Sequence, residues 1–256
     1  MRSFIVSLIL LSCASYKSSG EFILKENISY GNHERHKGDF YESKNSNAPL
    51  VVIVHGGGWK ARDKSDMRLI AESLATNGFH VFNINYRLAP EYKHPAPIKD
   101  LAQAIQFAFE NFKFKGKKIG LWGYSAGAHI SLLHALQNDN IAAVVSGGAP
   151  YDLSWYEHSP YIVPYLGYDR EGHIQDYLEA SPINYLHEKA PPLFLYHGIQ
   201  DDLVEHAQMR VFYTRAKLKG LEVKTYDVGF WGHVKTFVFA SKPVELGVKF
   251  LKDKLQ

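Results

Sequence analysis

Gly123-Tyr124-Ser125-Ala126-Gly127 lies between the strand-like run Lys118 to Trp122 and the helix-like run Ala126 to Leu136. A serine flanked by glycines at such a junction is the pattern of a sharp strand-to-helix elbow that holds a hydroxyl out above a sheet. The glycines have a steric reason, since backbone passes so close that a Cβ at position 123 or 127 would collide with it. Ser125 is therefore the candidate nucleophile. A pentapeptide of this kind is weak grounds for a site in a chain of 256 residues with 20 glycines, and a second element is needed.

That element is His55-Gly56-Gly57-Gly58-Trp59, directly after the apolar run Leu50-Val51-Val52-Ile53-Val54. Three adjacent glycines at a strand exit let the backbone turn its amides toward an approaching oxygen, as an oxyanion hole requires. The elbow follows some 70 residues later.

In this order and spacing the two motifs resemble those of the α/β-hydrolase fold and, within it, the HGGG-type esterases and lipases. His55–Trp59 and Gly123–Gly127 are similar to the HGGGW and GxSAG patterns of small carboxylesterases of the acetyl-xylan or feruloyl esterase-like group. Asn85-Tyr86-Arg87-Leu88-Ala89-Pro90-Glu91 resembles the YRLAPE segment of the hormone-sensitive-lipase-like esterases. The likeness runs from about residue 24 to the C-terminus and departs at Tyr124, where those lipase-like enzymes usually carry Asp. It implies a mostly parallel central sheet with helices on both faces, and a serine carboxylesterase that hydrolyses small or carbohydrate-linked esters through an acyl-enzyme. No cofactor is implied.

The resemblance also implies an acid and then a histidine downstream of the serine. Leu193 to Tyr196 ends in His197-Gly198-Ile199-Gln200-Asp201-Asp202, similar to the family's HGxxD, which places the acid at Asp201 with Asp202 as its rival. An ordinary loop carboxylate is the alternative for both. Val223 to Val228 reads as a strand and is followed by Gly229-Phe230-Trp231-Gly232-His233, which matches the family's histidine loop. Of 13 histidines, only His233 follows the last predicted strand; His129, His134 and His187 read as helix or surface residues. In these roles His233 takes and returns the serine proton, and Asp201 fixes its tautomer. The N–H groups of Gly57, Gly58 and Ala126 bind the oxyanion. Trp59 and Tyr124, next to these positions, border the substrate.

The remaining pattern agrees. Glu21 to Ile28 and Asp39 to Glu42 read as opening strands, Ser65 to Thr76 as a helix, Phe79 to Asn85 as a strand, Pro97 to Phe112 as a helix and Ile141 to Ser146 as a strand. Ile98, Leu101, Ala102, Ile105, Ala108, Phe109 and Phe112 recur at helical spacing and mark a core face. Alternating strands and helices predict a parallel sheet whose ligand site lies at the strands' C-terminal edge. Pro150 to Pro192 is an insertion after the sixth predicted strand, too long for a simple connection. Its Trp155, Tyr156, Tyr161, Tyr165 and Tyr168 either line the substrate pocket or pack the insertion onto the sheet. Asp152 reads equally as a helix cap.

The formal charge of +3 is too small to point to a polyanion such as nucleic acid. There is no H-E-x-x-H, no Cys pair, no P-loop and no G-x-G-x-x-G, and His33-Glu34-Arg35-His36 reads as a polar loop, so neither metal nor nucleotide is predicted. Arg2, the apolar run Phe4 to Leu11 and Ser12-Cys13-Ala14-Ser15 have the layout of an export signal. Leu10-Leu11-Ser12-Cys13 resembles a bacterial lipobox, in which lipidated Cys13 would tether the protein to a membrane; cleavage near Ala14 and simple secretion is the alternative. Residues 1–20 are thus expected to be leader and tether, and 21–256 one catalytic domain. Two other readings stay open: an amide-cleaving hydrolase of the same fold, and a non-catalytic binding protein on a hydrolase shell.

Overall fold

The computed structural model describes residues 16–18, 22–116 and 118–256. Its strands are β1 Tyr16–Ser18, β2 Phe22–Ser29, β3 Lys37–Ser43, β4 Leu50–Val54, β5 His80–Ile84, β6 Ile119–Tyr124, β7 Ile141–Gly147, β8 Leu193–Gly198 and β9 Val223–Val228. They form a single sheet in the order β1-β2-β3-β5-β4-β6-β7-β8-β9. Antiparallel pairing joins β1, β2, β3 and β5, and every pair from β5 onward to β9 is parallel. The helices are α1 Arg68–Thr76, α2 Ala96–Asn111, α3 Ala126–Ala135, α4 Ile162–Leu166, α5 Ile174–Glu179, α6 His206–Leu218, α7 His233–Phe239 and α8 Ser241–Leu255.

Buried strands alternate their side chains between two layers. Along β4, Leu50, Val52 and Val54 join the core beneath α2, α3 and α6, while Val51 and Ile53 join the core beneath α1 and α8. All five are fully buried, so the continuous apolar run is a central strand covered on both faces. Connecting parallel neighbours requires crossover helices, and these cover both sides of the sheet.

One expectation needs correction. Tyr16–Ser18 falls in the stretch assigned to leader and tether, yet its backbone pairs with Ile23 to Lys25 as an edge strand. The leader proper, residues 1–15, lies outside the described residues. The insertion 150–192 follows the sixth strand of residues 21–256, which is β7 once the edge strand β1 is numbered. Among the described residues no helix is long and apolar enough to cross a membrane.

Candidate active site

Every candidate site residue stands at the C-terminal edge of the parallel strands. β6 ends at Tyr124 and α3 begins at Ala126, so Ser125 makes the whole turn, with φ 54° and ψ −124°. A non-glycine residue in this region is strained and persists only where its surroundings fix it. Ser125 N–H donates to Gly147 O at 2.8 Å and its carbonyl accepts from His129 N–H at 3.0 Å. A Cβ on Gly123 would strike the backbone of Gly127 and Ala128, and one on Gly127 would strike the carbonyls of Val54 and His55. The elbow is thus wedged against the exit of β4, and both flanking glycines are required by close approach.

The glycine loop sits directly opposite. A Cβ on Gly56 would lie 3.0 Å from Tyr124 O and 3.2 Å from Ser125 Cβ. Gly57 and Gly58 have φ of 109° and 58°, and among the described residues their N–H groups donate to no backbone carbonyl. The N–H of Ala126, first in α3, has no intrahelical acceptor. Three amides are therefore available around the serine, near the positive end of the α3 dipole.

Asp201 and His233 form the third part. Asp201 Oδ2 and His233 Nδ1 are 2.7 Å apart; the carboxylate can only accept, so Nδ1 carries the proton. Asp201 Oδ1 accepts from Leu203 N–H at 3.1 Å and Val204 N–H at 2.9 Å. His197 Nε2, which donates to Val204 O at 2.8 Å, also lies 3.1 Å from Oδ2. Burial alone would raise the Asp201 carboxyl, but these hydrogen bonds and the neighbouring imidazole hold it well below the usual carboxylate range. Asp202, the rival, is exposed. Ser125, His233, Gly57 and Gly58 line one cavity. No hydrogen bond within 3.5 Å joins Ser125 Oγ to His233 among the described residues.

Tyr124 does more than border the site. Its hydroxyl donates to His233 O at 2.6 Å and its ring lies 5.2 Å from the imidazole, so it anchors the histidine loop. Trp59 stacks on Tyr165 at 4.5 Å, and its Nε1–H donates to His129 Nδ1 at 3.3 Å. His129 Nε2 in turn donates to Ala180 O at 2.7 Å, which fixes its tautomer and ties the glycine loop, α3 and the insertion together. Fully buried, His129 is pushed down to about 3 by desolvation and stays neutral.

The insertion's aromatic residues divide between the two roles expected of them. Trp155, Tyr156 and Tyr161 line a cavity beside Ser125. Tyr165 is fully buried behind Trp59, and Tyr168 stacks on His173 at 3.9 Å, so both pack the insertion instead. Asp152 caps a short 3₁₀ turn, its Oδ1 accepting from Ser154 N–H at 3.1 Å.

Arg35 was not identifiable from sequence. It sits in the polar loop His33 to His36, donates to Tyr86 O at 2.7 Å and Arg62 O at 3.0 Å, and approaches His55 Nε2 at 3.5 Å. It thereby braces both ends of the glycine loop. Arg87 forks onto fully buried Asp100 at 2.6 and 2.9 Å, which explains why the segment after β5 needs an arginine.

A family model described as BD-FAE matches residues 39–216. Esterase LipQ of Mycobacterium tuberculosis is 31% identical over 202 residues, covering 70% of this chain and 48% of LipQ. Kynurenine formamidase of Debaryomyces hansenii is 30% identical over 111 residues, 41% of this chain and 38% of that protein. The chain thus spans about half the length of LipQ, or less of the formamidase. Among solved structures, a truncated form of a carbohydrate esterase from gut microbiota superposes with a TM-score of 0.82 at 22% identity, covering 95% of this chain and 98% of that one. That likeness extends over the whole α/β-hydrolase fold.

Proposed function

The chain belongs to the BD-FAE family and has the α/β-hydrolase fold, and on that premise we propose that it is a serine carboxylesterase acting on small or carbohydrate-linked esters. The observation that carries this reading is the convergence on one cavity of a strained serine at a helix N-terminus, a glycine loop with undirected amides, and a buried His–Asp pair.

Ser125 Oγ attacks the ester carbonyl while His233 Nε2 takes its proton. Asp201 keeps the opposite nitrogen protonated, so Nε2 presents its lone pair, and stabilises the imidazolium that forms. The oxyanion is met by the N–H groups of Gly57, Gly58 and Ala126, each worth on the order of 3 kcal/mol of barrier. His233 gives the proton to the departing alcohol, and water then hydrolyses the acyl-enzyme by the same route.

p-Nitrophenyl esters of increasing chain length, beside acetylated xylan, test this. Turnover that falls by at least about 10³-fold in Ser125→Ala supports the esterase. No hydrolysis of any ester or amide by the folded protein would make it a binding protein. The likeness to a formamidase supports a second reading, amide cleavage by the same residues; an N-formyl aromatic amide cleaved faster than every ester would favour it. Export belongs to the same reading, on the strength of Arg2, the run Phe4 to Leu11 and Cys13. Mass spectrometry of the mature protein from a bacterial host will then find a lipidated Cys13 or a start near Ala14, and an intact Met1 would remove it.

A further inference from the structure

Five large apolar side chains gather on one side of the molecule, each between 54% and 77% exposed: Val234, Val238 and Phe239 on α7, Phe230 in the loop just before it, and Leu69 on α1. A groove of about 600 Å³ joins α1 to α7 and α8, with Leu69, Val238 and Phe239 on its walls and buried Ile70, Ala240 and Val248 beneath. None of the residues assigned to hydrolysis lines it. Contiguous apolar surface left in water marks a place where something docks.

The charges around it indicate what. Glu245, the one acid that lines the groove, is neutralised by Lys242 at 2.9 Å. Glu72 on α1 is paired with Arg68 at 2.7 Å, and Asp66 just before it with Arg62 at 3.9 Å. Lys235, Lys249 and Lys252 have no acidic partner among the described residues: Lys235 lies over the Trp231 ring at 5.1 Å, and Lys252 donates to Asn77 Oδ1 at 2.9 Å. Lys235 stands one helical turn before Phe239 and shares its face. Lys249 and Lys252 line the groove beside Val248. The face is therefore apolar at its centre and carries uncompensated positive charge at its margin. Protein interfaces are depleted in lysine and rely on arginine and aromatic anchors. A lipid surface suits the opposite composition, an apolar helix face with lysines that snorkel to the headgroups.

We propose that this face docks on an anionic lipid bilayer, with α7 lying in the interface, Val234, Val238 and Phe239 sunk among the acyl chains, and Lys235, Lys249 and Lys252 on the phosphates. Attachment of this kind is peripheral and reversible, driven by apolar burial and by charge together. It holds whether or not the chain hydrolyses esters.

The single cysteine of the chain permits a site-specific test. In full-length Cys13→Ser protein, which has no thiol and cannot be lipidated there, Val238 or Phe239 is replaced by Cys, one at a time, and labelled with a nitrobenzoxadiazole fluorophore. Leu218→Cys on α6 is the control, since Leu218 is exposed and α6 packs on the opposite face of the sheet. Vesicles of equal parts phosphatidylglycerol and phosphatidylcholine should shift the emission at 238 and 239 to the blue and leave 218 unmoved, and phosphatidylcholine alone should do markedly less. In titrations with the mixed vesicles, Lys235→Gln and Lys249→Gln should each weaken binding about fivefold at low salt, and added salt should erase that difference. No shift at either position, an equal shift at 218, or binding indifferent to lipid charge or to these lysines overturns the proposal. So does a shift that follows protein concentration without vesicles, which would make the occupant a second copy of the chain.

Discussion

Asp201 and Asp202 are chemically identical neighbours in opposite surroundings. One accepts from two backbone amides and the His233 imidazole with His197 beside it, and the other faces solvent. Asp201→Asn leaves an amide that can donate as well as accept, so His233 loses its enforced tautomer; kcat should fall by about 10⁴-fold, and Asp202→Asn should cost far less. Steady-state kinetics on one p-nitrophenyl ester separates them, and equal losses would show that the acid has been misassigned. Tyr124 gives a subtler case. Tyr124→Phe keeps the ring against His233 but leaves the buried His233 carbonyl without its donor, a cost of about 1–3 kcal/mol. Because the hydroxyl holds the base and not the substrate, the loss should appear in kcat, about tenfold, with KM little changed. A rise in KM alone would return Tyr124 to the substrate-contact role that its sequence position suggests.

At the level of elements, the elbow shows why some of the fold is legible and some is not. Gly123 and Gly127 announce a close approach, and the structure supplies the atoms they approach. Gly127→Ala therefore has no rotamer by which to relieve the clash. It should cost at least about 2 kcal/mol, a fall in Tm of roughly 4–8 °C for a chain of this size; an unchanged melting curve would refute the wedge against β4. The strands β4 to β8 are readable because buried parallel strands are short apolar runs with turn residues at their ends. Helices α4 to α8 are absent from the sequence reading. α7 exposes Val234, Val238 and Phe239, so its pattern gives no clean stripe. Nor does periodicity say which apolar neighbour a side chain finds. Trp155 and Tyr165 looked alike in sequence, yet one walls a cavity and the other backs Trp59. His129 read as an ordinary helix residue, because its donor and acceptor come from segments 70 and 51 residues away. Replacing it by Leu strands the Trp59 Nε1–H and should lower kcat about tenfold through the glycine loop.

Across the whole molecule the packing of neutral histidines sets the response to acid. Burial pushes His55, His94 and His134 down to about 4 and His129 to about 3. In the unfolded chain each returns to about 6.5. A group depressed on folding contributes stability that is complete above its unfolded value and is lost as pH falls toward its folded value, because only the unfolded chain then binds the proton. The window is therefore about pH 6.5 down to 4, and to about 3 for His129, where the depressed Asp201 carboxyl begins to add its own loss in the same direction. The His158–Asp169 pair acts oppositely, since Asp169 raises that imidazole, but it is exposed and solvent screens it. These depressed imidazoles, with His36 and His80 lowered by burial in the same direction, outweigh one screened pair, so stability should drop steeply between pH 6.5 and 5. His134 isolates one contribution, since its Nε2 has no partner among the described residues and desolvation is the whole cause of its shift. His134→Leu should recover up to about 2 kcal/mol of the loss between pH 6.5 and 5, read by urea denaturation at each pH. A variant as acid-sensitive as the parent would mean that this histidine is already protonated in the folded protein, and that its burial does not exclude the charge.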